Sequence, residues 1–372
     1  MKRISLLCML LVILCVNTYA AAPVVSNVTA SQRTDDSNIV DIYYNVSDSD
    51  TATLTICVMV SSNGGRQSYT ISASSVSGDV GSSVSSGTGK HIIWNVGTTI
   101  PGAYSASYKI SVIASDSAFS GQMIYITAGS FLMGNNSIDN DAVYSNSSEL
   151  PQHPISLSGY WIGKYEVTRG EYRQFMNAGG YSNSSYWSTA GWTWKGTRME
   201  PDYWAANQDW GTGIFTQTDN HPVVGVNYYE SEAFCNWAGG HLPTEAQWER
   251  AARWTGSSPN VYPWGNTWDQ QKCNNENDSL YPRCQTAPVG SYSSLSGCQD
   301  MAGNVREWCQ DWYLSRYYLL SPSSDPPGPA SGVSRVLRGG GWNDSVNYSR
   351  CAYRYSNYPY DNLNSSGFRL AR

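Results

Sequence analysis

Charge is scarce in this chain, and the scarcity narrows its function. Asp, Glu, Lys and Arg make up 14% of the 372 residues, and their balance is −6. Nothing basic is available to neutralise a run of phosphates, which excludes a nucleic-acid or anionic-membrane footprint. Histidine is scarcer still: His91, His153, His221 and His241 stand apart, without the spacing of metal ligands. Long apolar runs are missing too. The longest, Ile4 to Val16, falls short of the ~20 residues that cross a bilayer, so no membrane span is expected. No GxSxG elbow, P-loop or dinucleotide fingerprint occurs. Gly339-Gly340-Gly341 has no helix pattern after it and so cannot cradle phosphate. No catalytic residue is assigned.

What is present begins with a leader pattern. Lys2 and Arg3 precede the apolar run, and Thr18-Tyr19-Ala20 supplies small residues before Ala21. Residues 1–20 are therefore expected to be a cleaved signal peptide, and the protein secreted or periplasmic. Export permits disulfides. Cys273 and Cys284 bracket one polar loop, and Cys298 and Cys309 bracket the segment GNVREW, so each pair is a candidate bridge. Cys57, Cys235 and Cys351 are left over. Aromatic residues are plentiful, with 15 Trp and 27 Tyr. Such rings fill cores that have sparse secondary structure, and they also build binding surfaces.

Composition changes near residue 118. Residues 22–118 are rich in Ser, Thr, Val and Asp, with alternating runs at Ile39 to Tyr44, Thr53 to Val60, Ser68 to Ala73, His91 to Asn95 and Tyr108 to Ala114. Turn clusters separate them, which predicts an all-β immunoglobulin- or fibronectin-like sandwich. From residue 123 to 372 three helix starts stand out. Thr168 with Glu171, Asn227 with Glu230 and Thr244 with Gln247 each form a capping-box pattern ahead of an apolar stripe. Between them the chain is mostly Gly, Asn, Ser, Pro and aromatics, which implies packed loops and short strands.

Seven motifs appear in order across residues 123–372: FLMGNN, HPISLSGYWIGKYEVTRGEYRQF, HPVVGVNYYESEAFCNWAGGHLPTEAQWERAAR, YPWGN, DMAGNVREWCQDWY, RVLRGGGWND and GFRLA. Together they resemble the formylglycine-generating (sulfatase-modifying) enzyme family. The resemblance implies an α+β domain of C-type-lectin-like topology with little regular secondary structure. Family enzymes oxidise a sulfatase cysteine using oxygen and copper held by two cysteines after a Gly-Gly-Ser-aromatic turn. The matching stretch here, 339–350, contains no cysteine. Gly341 stands in place of Ser, Asp344 falls near the first cysteine position, and Arg306 replaces a common aromatic. Copper, a soft ion in its monovalent state, is therefore disfavoured. Cys235 and Cys351 match family positions for structural disulfides, but their expected partners, near Ala252 and Leu370, are not Cys. They are left either to pair with each other or to remain buried thiols.

By the same resemblance, calcium is the expected ion. It would be held by the Asp300 and Glu307 side chains with the Gly303 and Val305 carbonyls; a second site near Asn274 and Asn275 is less well matched. The bland reading is that the same residues only satisfy loop amides. The family's substrate-binding region matches the aromatic loop from Tyr181 to Phe215. Trp187, Trp194 and Trp204 are therefore candidate ligand rings for an extracellular or periplasmic protein or carbohydrate, or else they seal a core. Three functions remain: a non-oxidase binding module, a formylglycine-generating oxidase of variant mechanism, or a structural envelope protein.

Overall fold

The structure, a computed structural model, describes residues 23–35, 37–48, 53–61, 69–70, 75–96, 109–115, 122–135, 147–202, 204, 217–253, 259–276 and 285–372. The leader lies outside the described residues, as do Cys284, Tyr203 and Trp210.

The N-terminal strands form two antiparallel sheets. β1 (Val24–Gln32), β2 (Ile39–Ser47), β7 (Gly87–Asn95) and β5 (Val76–Gly78) make one in the order β1-β2-β7-β5. In the other, β3 (Leu54–Ser61) pairs with β4 (Tyr69–Thr70), β6 (Gly81–Val84) and β8 (Lys109–Ser115). The alternation in β2 explains why it forms: Val40, Ile42, Tyr44 and Val46 are buried while their neighbours reach the surface. They share one apolar cluster with Leu54, Ile56, Val58, Ile92 and Trp94. Burying each such side chain stabilises by roughly 1.5–3 kcal/mol. Two strand regions were not anticipated. β1 is an edge strand exposed along most of its length, and β5 and β6 are short, so neither carries a period-2 apolar pattern.

The remainder is built from short pieces. β9 (Met123–Ile126) pairs with β12 (Tyr160–Gly163), and β10 (Gly129–Met133) with β11 (His153–Leu157). A four-stranded sheet runs β15 (Tyr355–Asn357), β14 (Arg335–Arg338), β13 (Arg306–Trp312), β16 (Ser366–Gly367), with its last pair parallel. All three expected helix starts are realised. Thr168 and Asn227 close capping boxes on α1 (Arg169–Asn177) and α3 (Tyr228–Trp237). Thr244 and Gln247 exchange the same reciprocal bonds, at 3.1 and 2.8 Å, on α4 (Glu245–Arg253). A further helix, α2 (Thr189–Lys195), lies inside the presumed aromatic loop. Its cap, Ser188, has Gly191 at the third helical position instead of Glu, so no box announced it.

Two apolar clusters hold this part together, one around Tyr172, Phe175, Phe234 and Trp308, the other around Ile155, Trp248 and Val336. With so little regular structure, buried ion pairs tie distant segments. Arg350 grips Glu149 through two bonds of 2.8 Å, across 201 residues of chain. Arg354 binds both oxygens of Glu245, and Arg338 reaches Glu245 and Glu249. Planar guanidinium forks suit this task, because each fixes orientation as well as charge.

Candidate functional site

The turn after β14 is tight and closed by an ion pair. Gly339 and Gly340 have φ of +90° and +73°, and a Cβ on Gly340 would meet the Tyr348 carbonyl at 2.9 Å. That tight turn brings Asp344 back, so that the Gly341 amide donates to its Oδ2 at 2.8 Å. Its other oxygen is paired with Arg306, whose second nitrogen donates to Ser365 Oγ at 2.8 Å. Two residues that depart from the family pattern at separate motifs are thus partners. They form one buried ion pair beside the glycine turn.

No two of the described thiols are joined, although Cys273 Sγ lies 3.9 Å from Ser349 Oγ within the 339–350 stretch. Cys235, Cys273, Cys298, Cys309 and Cys351 are all buried. Cys235 and Cys351 belong to different apolar clusters, so the pairing left open between them is not made. The expected Cys298–Cys309 bridge is not formed either: both carry thiols, packed in one cluster. The partner proposed for Cys273, Cys284, lies outside the described residues. Burial pushes the thiols of Cys235, Cys298 and Cys309 up, away from the thiolate that binds soft metal.

The GNVRE turn does gather acids. Gly303 has φ +73°, and a Cβ there would meet the Asn274 carbonyl at 2.2 Å, so only glycine fits. Asp300 accepts amide hydrogens from Gly290 and Tyr292 at 2.5 and 2.9 Å, and burial pushes its carboxyl up to about 6. Glu307 binds Arg369 through both oxygens, at 2.5 and 2.6 Å, and accepts from Trp248 Nε1 at 2.8 Å. A third acid, Glu166, was missed by the sequence reading. Its Oε2 accepts from Asn304 Nδ2 at 2.9 Å, while its Oε1 has no partner. Burial, then the charges of Asp300 and Glu307, hold the Glu166 carboxyl well above the usual range. Three buried carboxylates therefore face the single guanidinium of Arg369. That imbalance, with one orphaned oxygen, fits an added cation or a retained proton. Among the described residues, no group of three or more His, Cys, Asp or Glu is arranged to hold a metal.

The expected ligand rings turn out to be core. Trp187 is buried and donates to the Gly180 carbonyl at 2.8 Å. Trp204 is buried under the Arg169 guanidinium, 4.0 Å from its ring centre. Trp194 is half-buried against the same cluster, with Arg198 over it at 4.6 Å. Their faces are occupied because α1, α2 and α3 close over them.

Trp192 of the same aromatic loop is exposed, and a further exposed aromatic surface lies in residues 343–364. Here buried anchors alternate with accessible polar and aromatic residues. Trp342, Arg350, Arg354, Pro359 and Ser365 are buried, while Asn343, Tyr358 and Tyr360 are exposed. Ser345, Asn347, Tyr348, Tyr353, Tyr355, Ser356 and Asn357 are half-buried. The Tyr358 and Tyr360 rings stack at 5.3 Å, and Tyr348 and Tyr353 meet at 4.6 Å. The signal was in the sequence: a run of Tyr, Asn and Ser interrupted by Arg and Pro. Without burial it could not be told from loop filler.

This fold, with its glycine turn and GNVRE turn, is of the sulfatase-modifying-factor type. The sulfatase-modifying factor enzyme 1-like domain matches residues 111–372, and the chain belongs to that family. The serine/threonine-protein kinase Pkn1 of Chlamydia trachomatis serovar L2 is 36% identical over 68% of this chain and 38% of its own length. The formylglycine-generating enzyme of Streptomyces coelicolor is 34% identical, over 67% of this chain and 88% of that enzyme. Among solved structures, PvdO from Pseudomonas aeruginosa has a TM-score of 0.52 at 26% identity, covering 68% of this chain and 94% of that one. The chain spans well under half the length of the chlamydial relative. No helix among the described residues is long and apolar enough to cross a membrane.

Proposed function

We propose that this is an exported, non-oxidase binding protein that docks a protein partner on the surface formed by residues 343–364. The observation that carries this reading is the composition and rigidity of that surface. Tyr and Asn side chains stand exposed while buried Arg350 and Arg354 lock the backbone beneath them. Tyr supplies large contact area with few rotatable bonds, Asn and Ser supply adaptable hydrogen bonds, and preorganisation limits the entropy lost on binding. The Arg306–Asp344 pair supports the non-oxidase part, since it fills the glycine turn with charge where the family enzymes carry thiol chemistry. The two N-terminal sheets serve in this reading as an immunoglobulin- or fibronectin-like spacer.

The test is affinity capture of partners from an extracellular or periplasmic fraction, followed by titration of each with wild-type protein and with Tyr358→Ser/Tyr360→Ser. Exposed aromatic anchors at an interface are worth about 2 kcal/mol or more each, so the double variant is expected to bind at least ~100-fold more weakly. A partner held equally well by the variant would remove this surface from the proposal. Mass-spectrometric conversion of a cysteine-containing sulfatase peptide in the presence of copper would restore the oxidase. Carbohydrate is a second reading, favoured by an open groove of about 740 Å³ lined by Trp264, Trp268, Asn266, Asp269 and Gln270. A glycan-array signal lost in Trp268→Ala would select it.

Calcium enters the proposal at the GNVRE turn, balancing Glu166, Asp300 and Glu307 alongside Arg369. Ligand that binds only the folded state stabilises it by mass action, about 2.7 kcal/mol at 100 times Kd. Excess calcium is expected to raise the melting temperature by several degrees over EGTA. An unchanged melting temperature would leave a proton on Glu166 as the balancing charge.

A further inference from the structure

Beside the 343–364 surface, where Arg335 pairs with Asn357 across β14 and β15, a cavity of about 490 Å³ opens between α3, the C-terminal end of β13 and the turn 327–330. Its wall contains Tyr228, Glu232, His241, Gln310, Trp312 and Arg335. Only His241 among them was weighed from the sequence, and there as no metal ligand; none belongs to the two turns described above.

The chemistry of this wall is unusually complete. The Arg335 guanidinium is sandwiched 4.0 Å over the Tyr228 ring and 3.6 Å over Trp312. Its Nη1 donates to the Gln310 carbonyl. Both faces and one edge are therefore used, which leaves the Nε and Nη2 edge; Nε is shielded from solvent and has no hydrogen-bond partner. That edge is the fork that grips a carboxylate through two parallel bonds. Glu232 Oε1 accepts from the Tyr228 hydroxyl at 3.1 Å, while its Oε2 is likewise shielded and unpaired. His241 Nδ1 lies 2.8 Å from the Leu242 carbonyl, so this nitrogen carries the proton and Nε2 is left as an acceptor. Glu232 and Arg335 make no ion pair with each other among the described contacts.

One cavity wall thus carries a donor edge and two acceptors that no protein group satisfies, with opposite charges on Arg335 and Glu232. Unpaired buried donors and acceptors are costly, and a site built to satisfy both ends of a polar ligand removes that penalty on binding. A sugar fits less well, because the Tyr228 and Trp312 faces that would stack on it are covered by the guanidinium. We infer that this cavity is a second ligand site, for a small zwitterion such as a free α-amino acid or a dipeptide, with carboxylate on Arg335 and ammonium on Glu232 and His241.

The experiment is isothermal titration of the full-length exported chain with L-alanine, L-alanyl-L-alanine, N-acetyl-L-alanyl-L-alanine, L-alanyl-L-alanine amide and D-glucose. Alanine or dialanine is expected to bind saturably, with each blocked dipeptide at least ten-fold weaker. Glu232→Gln still accepts from Tyr228, so it should keep the wild-type melting temperature while weakening zwitterion binding at least ten-fold. Arg335→Gln should weaken binding to a similar extent, but it also removes a stacked side chain. Glu232→Gln is therefore the deciding variant. Absence of saturable heat with either zwitterion, equal affinity for the blocked forms, indifference to Glu232→Gln, or preference for glucose would each overturn the assignment.

Discussion

Glu245→Gln is expected to lower the melting temperature by about 10 °C. The Glu245 carboxylate accepts from Arg338 Nη1 at 2.8 Å and from Arg354 Nε and Nη2 at 2.7 and 2.8 Å. Burial alone would push its carboxyl up, yet Arg354 and Arg338 hold it below the ordinary value. Removing its charge leaves two guanidinium groups in the interior with only Glu249 on Arg338 and Asp311 near Arg354 to balance them. Breaking a buried pair from one side costs about 3–5 kcal/mol, and in a domain of about 250 residues each kcal/mol moves the midpoint by about 2–4 °C. Thermal unfolding followed by circular dichroism reads the shift directly. Glu171→Gln is the control, because glutamine also closes a capping box on α1. A shift for Glu245→Gln no larger than the control's would show that the ion-pair lattice does not hold the loops.

The second large effect is a stability that falls from pH 5 to pH 8. Burial pushes the Glu230 carboxyl up to about 7, against the lowering bonds from the Tyr181 hydroxyl and the Asn227 amide. Burial, followed by the nearby Glu245 charge, pushes Asp311 up to about 7 as well. A raised acid binds its proton more tightly in the folded chain than in the unfolded one. Its contribution is therefore fully present below the unfolded value near 4 and is lost as pH rises to 7. Depressed carboxylates such as Glu245 and Asp219 act in the opposite sense below about pH 4.5, outside this window. His221, whose imidazole burial pushes down, opposes the trend inside it, as one partly buried group against two fully buried acids. Glu230 alone accounts for about 3 kcal/mol at most. Glu230→Gln keeps the capping box on α3 and removes the titration, so its stability at pH 8 should exceed the wild type's and its profile should flatten. Chemical denaturation at pH 5 and pH 8 measures both. A wild-type stability that rises across this window would refute the assignment.

The capping boxes at Thr168, Asn227 and Thr244 were legible because each is local: a cap and its partner three residues on meet within one turn, whatever surrounds them. The strands β2, β3 and β7 were legible for a similar reason, since alternation records which face is buried. β1 was not, because an exposed edge strand has no buried face to record. α2 was not, because Ser188 lacks the reciprocal Glu. The GNVRE turn was located by its glycine, but Glu166, some 140 residues away, had no local mark of its place beside Asp300.

Family membership, the three boxed helices, the glycine turns and the lack of cysteine in 339–350 were determined by the sequence alone, since each depends on residue identity at short spacing. Only the tertiary structure decided which side chains meet. It joined Arg306 to Asp344, placed Glu149 on Arg350, buried Trp187 and Trp204, left Tyr358 and Tyr360 outside, and faced Glu232 and Arg335 into one cavity. The physical reason is common to all of these. Burial and charge pairing are set by packing between segments far apart in the chain, where residue type fixes what a side chain can do but not what it touches.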